Sequence, residues 1–306
     1  MRAHRAGGVA HREPGVEARA VGVDLQRRDL SGLAAALSTP QEEDQVALRQ
    51  GQSYVARLQR HSELTPRKES PQARWRLRID RPGMLDQLQI WEMPAPKPIE
   101  KGQVEIEVQQ AGLNFIDVLG ALGSYPGQEG EPLLGGECFG IIRAVGPDVP
   151  PHRIGETVLA LAPMAFASHA RTLSTLALPC PPIPNAAGIP VVFCTAWYAL
   201  IELGRLQPGE KILIHSAAGA TGSAALQIAQ WIGAEIFATA GSEEKRIWLK
   251  TQGVSHIYNS RTLDFADQIL QDTHGTGVDL ILNSLTGPAI EKSLSILAPD
   301  GRFLEI

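Results

Sequence analysis

The segment richest in chemistry is KILIHSAAGATGSAALQIAQWIGAEIFATAGSEEKR, Lys211 to Arg246. A predicted strand from Lys211 to Ser216 leads into a turn of small residues, Ala217-Ala218-Gly219-Ala220-Thr221-Gly222, and then into a stretch of helical period. The spacing fits G-x-G-x-x-G, with Ala217, Gly219 and Gly222 in the three key places. Gly219 would let bare main chain approach a pyrophosphate, and Gly222 would let the helix pack closely on the sheet. The free N–H groups and dipole of the helix N-terminus would then face the phosphates. Ala217 departs from the first glycine of the pattern, and a turn packed for its own sake would share these small residues. The strand before and the helix after favour the nucleotide reading.

The next strand bears on which nucleotide. An NAD site usually ends this strand with Asp or Glu, which accepts from the ribose hydroxyls. Here it ends Thr239-Ala240-Gly241-Ser242, followed by Lys245 and Arg246. Ser242 and Lys245 can meet a 2′-phosphate, and Arg261, at the end of a third strand, is a second cation for it. These residues predict NADPH. Glu243 and Glu244 offset part of that field, and Lys245 and Arg246 are also what a solvated helix start would carry. His169 and His215 have no partner visible in the sequence and read as surface or core imidazoles. Cys138, Cys180 and Cys194 lack C-x-x-C spacing and read as reduced thiols, buried as small hydrophobes, in a cytoplasmic protein.

These side chains need a scaffold, and the pattern around them supplies one. From about Pro190 the strands KILIHSA, EIFATAG, SHIYNS, VDLILNS and GRFLEI alternate with helical stretches at 221–233, 243–252, 264–272 and 287–297. That alternation predicts an α/β domain over 186–306, a doubly wound parallel sheet of the Rossmann kind. Residues 75–185 carry WRLRID, LQIWEM, VEIEVQQAGL, CFGIIRAVG and TVLAL between Pro and Gly turns, which predicts a small β-rich domain. Residues 61–74, HSELTPRKESPQAR, read as a linker. Residues 21–60 hold a helix-like LSGLAAAL and a hairpin joined at Gly51-Gln52, and 1–20 form a loose lead-in.

Charge agrees with this division. Residues 1–74 carry 12 Lys/Arg against 9 Asp/Glu, and the remainder 16 against 24. A net charge of −5 argues against a nucleic-acid binder. No run approaches eighteen consecutive apolar residues, so no membrane span is expected. The first residues, MRAHRAGGVAHREPG, lack the apolar segment of a secretory signal.

The ordered motifs AGLNFIDVLGALGSYPG, LGGECFG, PVVFCTAWYAL, HSAAGATG and LILNSL resemble the enoyl reductases of polyketide synthases and animal fatty acid synthase, zinc-free members of the medium-chain reductase family. The resemblance covers about residues 75–306. It implies a GroES-like substrate domain ahead of the Rossmann domain, and a hydride transfer from NADPH to an α,β-unsaturated thioester tethered to an acyl carrier protein. It also implies that Asn114 and Thr195 hold the nicotinamide end, with the loop Asn283-Ser284-Leu285 beside it. Turn-forming or satisfied core roles are the alternative for each of these polar residues. Tyr125 matches a tyrosine that donates the α-proton in some relatives, and a turn aromatic is its alternative. Zinc-dependent relatives place a Cys and a His where this chain has Asn114 and Gly136, so no metal is expected.

Ile116 stands where polyketide relatives often carry Arg and resembles quinone reductases there. A stand-alone quinone or enone reductase is therefore a second reading, and an inert structural domain of a megasynthase a third. Residues 21–60 resemble the end of the ketoreductase structural subdomain that precedes such reductases, implying neighbouring megasynthase domains as partners. The family continues from GRFLEI into Gly-Lys, and that Lys and a later Asp are proposed proton donors. The expectation is a Rossmann sheet incomplete at its C-terminus, a bare edge beside Phe303, Leu304 and Ile306, and weak activity.

Overall fold

A computed structural model of the chain describes residues 20–23, 45–49, 52–55, 74–127 and 130–306. The chain divides into two compact units, Met1–Glu69 and Ser70–Ile306. In the first, β1 (Ala20–Val23), β2 (Gln45–Arg49) and β3 (Gln52–Val55) form a sheet in that order, β1 parallel and β3 antiparallel to β2. Arg49 opposes Gln52, so β2 and β3 pair as an antiparallel hairpin in which Gln52, expected in the join, already belongs to β3. The expected helix at LSGLAAAL, the lead-in 1–20 apart from Ala20, and the linker 61–74 apart from Arg74 lie outside the described residues.

The second unit opens with a hairpin, β4 (Trp75–Ile79) and β5 (Leu88–Glu92). A five-stranded antiparallel sheet follows from β6 (Gln103–Ala111), β7 (Glu137–Val145), β8 (Thr157–Leu161), β9 (His169–Leu173) and β10 (Ala177–Pro179), in the order β10-β8-β7-β6-β9. Alternation along β6 sends Val104 and Ile106 into a core with Cys138, Ile142 and Val158. Glu105 takes the other face, where Arg74 and Arg171 meet it. The short β9 and β10, and helix α1 (Phe115–Ala121) between β6 and β7, carry too little period to be seen in the sequence.

Helix α2 (Pro190–Trp197) and a π-helical turn, Tyr198–Leu203, lead into the parallel sheet. Its strands are β11 (Lys211–Ile214), β12 (Glu235–Ala240), β13 (His256–Asn259), β14 (Val278–Asn283) and β15 (Leu297–Glu305), in the order β13-β12-β11-β14-β15. The connecting helices are α3 (Ala220–Ile232), α4 (Glu243–Thr251), α5 (Phe265–Asp272) and α6 (Pro288–Leu294). Ile212 and Ile214 face one core with Leu200, Ala225 and Leu226, while Leu213 faces the other with Phe237, Phe265 and Ile281. The sheet is covered on both faces, as a doubly wound fold requires. The last helix is shorter than expected, because the chain enters β15 at Leu297 and bulges before resuming at Arg302.

Among the described residues one stretch, Ala186–Leu203, is long and apolar enough by composition to cross a membrane, although no membrane span was expected. Val192, Ala196, Ala199 and Leu200 from this stretch belong to the core of the parallel sheet, which accounts for its apolarity.

Strand order reverses between β11 and β14. A crevice outside the carboxyl ends of these two strands is where ligands bind in open α/β sheets. That topology brings the turn at 217–222 and the loop at 283–285 together.

Candidate functional site

The turn after β11 is built from main chain. Ser216 sits in the left-handed region, φ 50°. Gly219 N–H donates to Ser216 O at 2.7 Å, and Ala217 N–H to Thr239 O at 3.0 Å. Gly222 is buried, and a Cβ there would collide with the Ser216 carbonyl. A Cβ on Gly219 would come within 3.1 Å of the same oxygen. Gly219 is the N-cap of α3 and has no side chain to offer, so no side chain caps the helix. The N–H groups of Ala220, Thr221 and Gly222 belong to the first turn, where a helix has no internal acceptor. With Ala217 buried beneath and Ala218 half-buried beside it, the turn is a cradle of donors at the positive end of a 13-residue helix.

At the end of β12, Gly241 leaves room for a neighbour's cation. A Cβ on Gly241 would lie 2.7 Å from Arg261 Nε, so the guanidinium covers the bare backbone next to Ser242. Ser242 caps α4 by accepting from Lys245 N–H at 3.4 Å, and the Lys245 side chain is exposed. Arg246 is engaged by Glu243 at 2.7 Å and by the Ala240 carbonyl at 3.2 Å. No ion pair engages Arg261 among the described residues.

Asn283 is fully buried, and its side chain is spent within the protein. Its Nδ2 donates to Leu285 O and to Glu305 Oε2, both at 2.8 Å, while its Oδ1 accepts from Leu285 N–H. Asn283 therefore shapes the loop, and Ser284, exposed, and Leu285, half-buried, are what the loop offers a neighbour.

The expectation of a lone His215 is corrected by its contacts. It is buried, with Nδ1 3.0 Å from Thr239 Oγ1 and Nε2 2.9 Å from Ser293 Oγ. Ser293 donates to Ala289 O, so it accepts from Nε2–H, and Nδ1 accepts from the Thr239 hydroxyl. Thr239 Oγ1 in turn accepts from Ser216 N–H at 3.2 Å. Burial pushes the His215 pKa down to about 4, so the ring is neutral. This imidazole ties α6 to the cradle. Its signal in the sequence, a His just before a small-residue turn, does not reveal distant partners.

On the substrate side, Asp117 anchors α1. Its carboxylate accepts from Asn114 N–H and Gly135 N–H, both at 2.8 Å, which is a structural role. Asn114 Nδ2 donates to Glu137 Oε1 at 2.7 Å, and Glu137 Oε2 accepts from Val191 N–H at 2.7 Å. Glu137 is buried and is the contact that sequence reasoning missed. On α2, Thr195 Oγ1 donates back to Val191 O at 2.7 Å. Tyr125 is 42% exposed and lines a cavity of about 290 Å³ with Ile116, Gly120, Leu133 and Leu134. A separate cavity of about 550 Å³ lies among Arg74, Arg78, Trp91 and Arg171. Its cations are largely engaged by Glu105 and Glu131, and none of its lining residues belongs to the cradle.

A catalytic zinc does not fit these residues. Asn114 and Gly136 offer no thiolate or imidazole, and the Asn114 amide nitrogen is a donor to Glu137. Burial and the adjacent Glu137 push the Cys138 thiol up to about 12. Cys138 is buried as expected, but Cys180 is half-buried and Cys194 is exposed on α2. Among the described residues no three His, Cys, Asp or Glu side chains converge on a metal position.

Comparison with known proteins agrees with this architecture. Residues 100–182 match the alcohol dehydrogenase GroES-like domain family, and 220–306 the zinc-binding dehydrogenase family. A phenolphthiocerol/phthiocerol polyketide synthase of Mycobacterium tuberculosis is 45% identical over 296 residues, covering 90% of this chain. The chain spans 14% of that relative's length. The crystal structure of CurK enoyl reductase is 42% identical, with a TM-score of 0.72, over 76% of this chain and 74% of that one. A mycobacterial protein, Rv1454c, solved in complex with NADPH, is 26% identical, with a TM-score of 0.68, over 76% and 72% of the two chains. With both domains of the fold present and this degree of identity to a solved enoyl reductase, the chain belongs to the enoyl reductase domains of polyketide synthases, within the medium-chain dehydrogenase/reductase family.

Proposed function

We propose that the chain reduces a trans-2-enoyl thioester carried on an acyl carrier protein, using NADPH. The observation that carries this reading is the pairing of an uncapped, glycine-lined helix start with Arg261 laid over Gly241. The cradle, residues 217–222, would hold the pyrophosphate on main-chain donors. Ser242, Lys245 and Arg261 would hold the 2′-phosphate, and among the described residues no ion pair engages either cation. Asn114, Thr195, Ser284 and Leu285 would border the nicotinamide end. When bound, NADPH supplies the hydride that reaches the β-carbon of the alkene.

The protein's own part is to hold the thioester still, shield it from water and return a proton to the α-carbon. Tyr125, exposed and lining a cavity with Ile116, Asp117 and Glu131, is the proposed proton donor; the resemblance and this location support it. Ile116 also keeps a quinone or enone reductase as the second reading. Domain boundaries near 61–74 and 185, with the ketoreductase-like residues 21–60 ahead, complete the proposal, as do neighbouring megasynthase domains as partners.

Consumption of reduced cofactor by the full chain tests it, with carrier-bound crotonyl thioester or a free quinone as acceptor, and NADPH against NADH. Weak turnover on the thioester with NADPH is expected. Turnover on the quinone alone, or preference for NADH, would overturn the reading.

A further inference from the structure

We propose that Glu137 is a positioning residue that holds the two walls of the nicotinamide pocket, Asn114 and the α2 helix bearing Thr195, in fixed relation. The inference rests on the nicotinamide reading above. Glu137 is 1% exposed and spends one carboxylate oxygen on each wall. Oε1 accepts from Asn114 Nδ2 and Oε2 from Val191 N–H, both at 2.7 Å. Val191 lies in the first turn of α2, and its carbonyl accepts the Thr195 hydroxyl one turn later. A single carboxylate thus sets the side chain at one wall and the start of the helix at the other.

Two further features show that the surroundings are shaped to this group. Gly112 has no side chain where a Cβ would collide with Glu137 Oε1, so the carboxylate occupies space that any other residue at 112 would take. Asn114 is also held from behind, since its main-chain N–H donates to Asp117 at the start of α1. Its amide therefore has a settled main chain and takes its side-chain direction from Glu137. A carboxylate with both oxygens accepting cannot be replaced by an amide, because glutamine has one acceptor and one donor for two donor partners. Removal of one partner from a buried pair costs more than the pair's net contribution.

The test is a donor–acceptor swap followed by fluorescence titration of NADPH and by turnover. Glu137→Gln should weaken NADPH binding at least tenfold and lower kcat, because its amide N–H₂ must face a donor. Asn114→Asp alone should also lose binding, since it sets two carboxylates side by side. The double variant Glu137→Gln, Asn114→Asp restores a donor–acceptor pair and should recover most of the affinity lost by either single change. Gly112→Ala, whose Cβ would meet both Glu137 Oε1 and the Ala187 carbonyl, should also lose affinity. Thermal unfolding without cofactor is measured for every variant. Losses that add in the double variant, or that follow the unfolding midpoint alone, would mean Glu137 only supports the fold and would overturn the proposal. Failure of the unaltered chain to bind NADPH would instead sink the cofactor reading, and this inference with it.

Discussion

Arg261 and Gly241 form a pair in which an absent side chain makes room for a cation. If that cation meets the 2′-phosphate, Arg261→Ala should weaken NADPH binding about tenfold or more, the scale of one charge-assisted hydrogen bond, and leave NADH almost untouched. Titration of both cofactors measures the ratio, and equal losses would show that Arg261 does not read the phosphate. Gly222 is constrained from the other side. Its missing Cβ would enter the Ser216 carbonyl and the Ala217 main chain, so Gly222→Ala must shift the cradle. We expect about 1–3 kcal/mol of destabilisation in thermal unfolding, typical of overpacking, together with loss of cofactor binding. Unchanged binding in this variant would show that the turn has no ligand to hold.

Elements in the substrate domain are joined by charge as well as by core. Glu105 on β6 is buried between Arg74, just before β4, and Arg171 on β9. Burial pushes its carboxyl up, but hydrogen bonds from Arg74 and Arg171 outweigh this and hold it below the usual carboxylate range. Stability from this group is present above that range and fades as pH falls through it. Glu105→Ala leaves two guanidiniums without their acceptor and should cost about 3 kcal/mol in urea unfolding. Cofactor affinity should not change, because none of the three lies in the cradle. A loss of affinity without a loss of stability would contradict the assignment.

Across the whole molecule, acid should act through the buried imidazole of His215. The unfolded ring takes up a proton near its ordinary value of 6.5, whereas the folded one stays neutral down to about 4. Between these values the unfolded chain binds more protons, so stability falls with falling pH and levels off below about 4. The loss attributable to this group approaches about 3 kcal/mol by linkage. His215→Asn should flatten that part of the pH profile of unfolding free energy, while the profile near Glu105's range remains. An unaltered slope between pH 6.5 and 4 in the variant would rule out His215 as its source.

Read without a structure, the chain already specified its parallel sheet, because strands and helices that alternate with their own periods leave few other ways to bury both faces. The cradle was legible for the same reason: a small-residue turn between a strand and a helix is a local feature, written in consecutive residues. Asn283, His215 and Glu137 were not legible in this way. Their partners lie 22, 78 and 54 residues away in the chain, and no local pattern encodes a hydrogen bond between distant segments. Short strands such as β9, which are held by neighbours rather than by their own periodicity, escaped for a related reason. Tertiary structure alone decided that Asn283's amide is spent on its own loop, that Arg261 lies over Gly241, and that one carboxylate joins Asn114 to α2, since each depends on which surfaces the fold brings within a few ångströms.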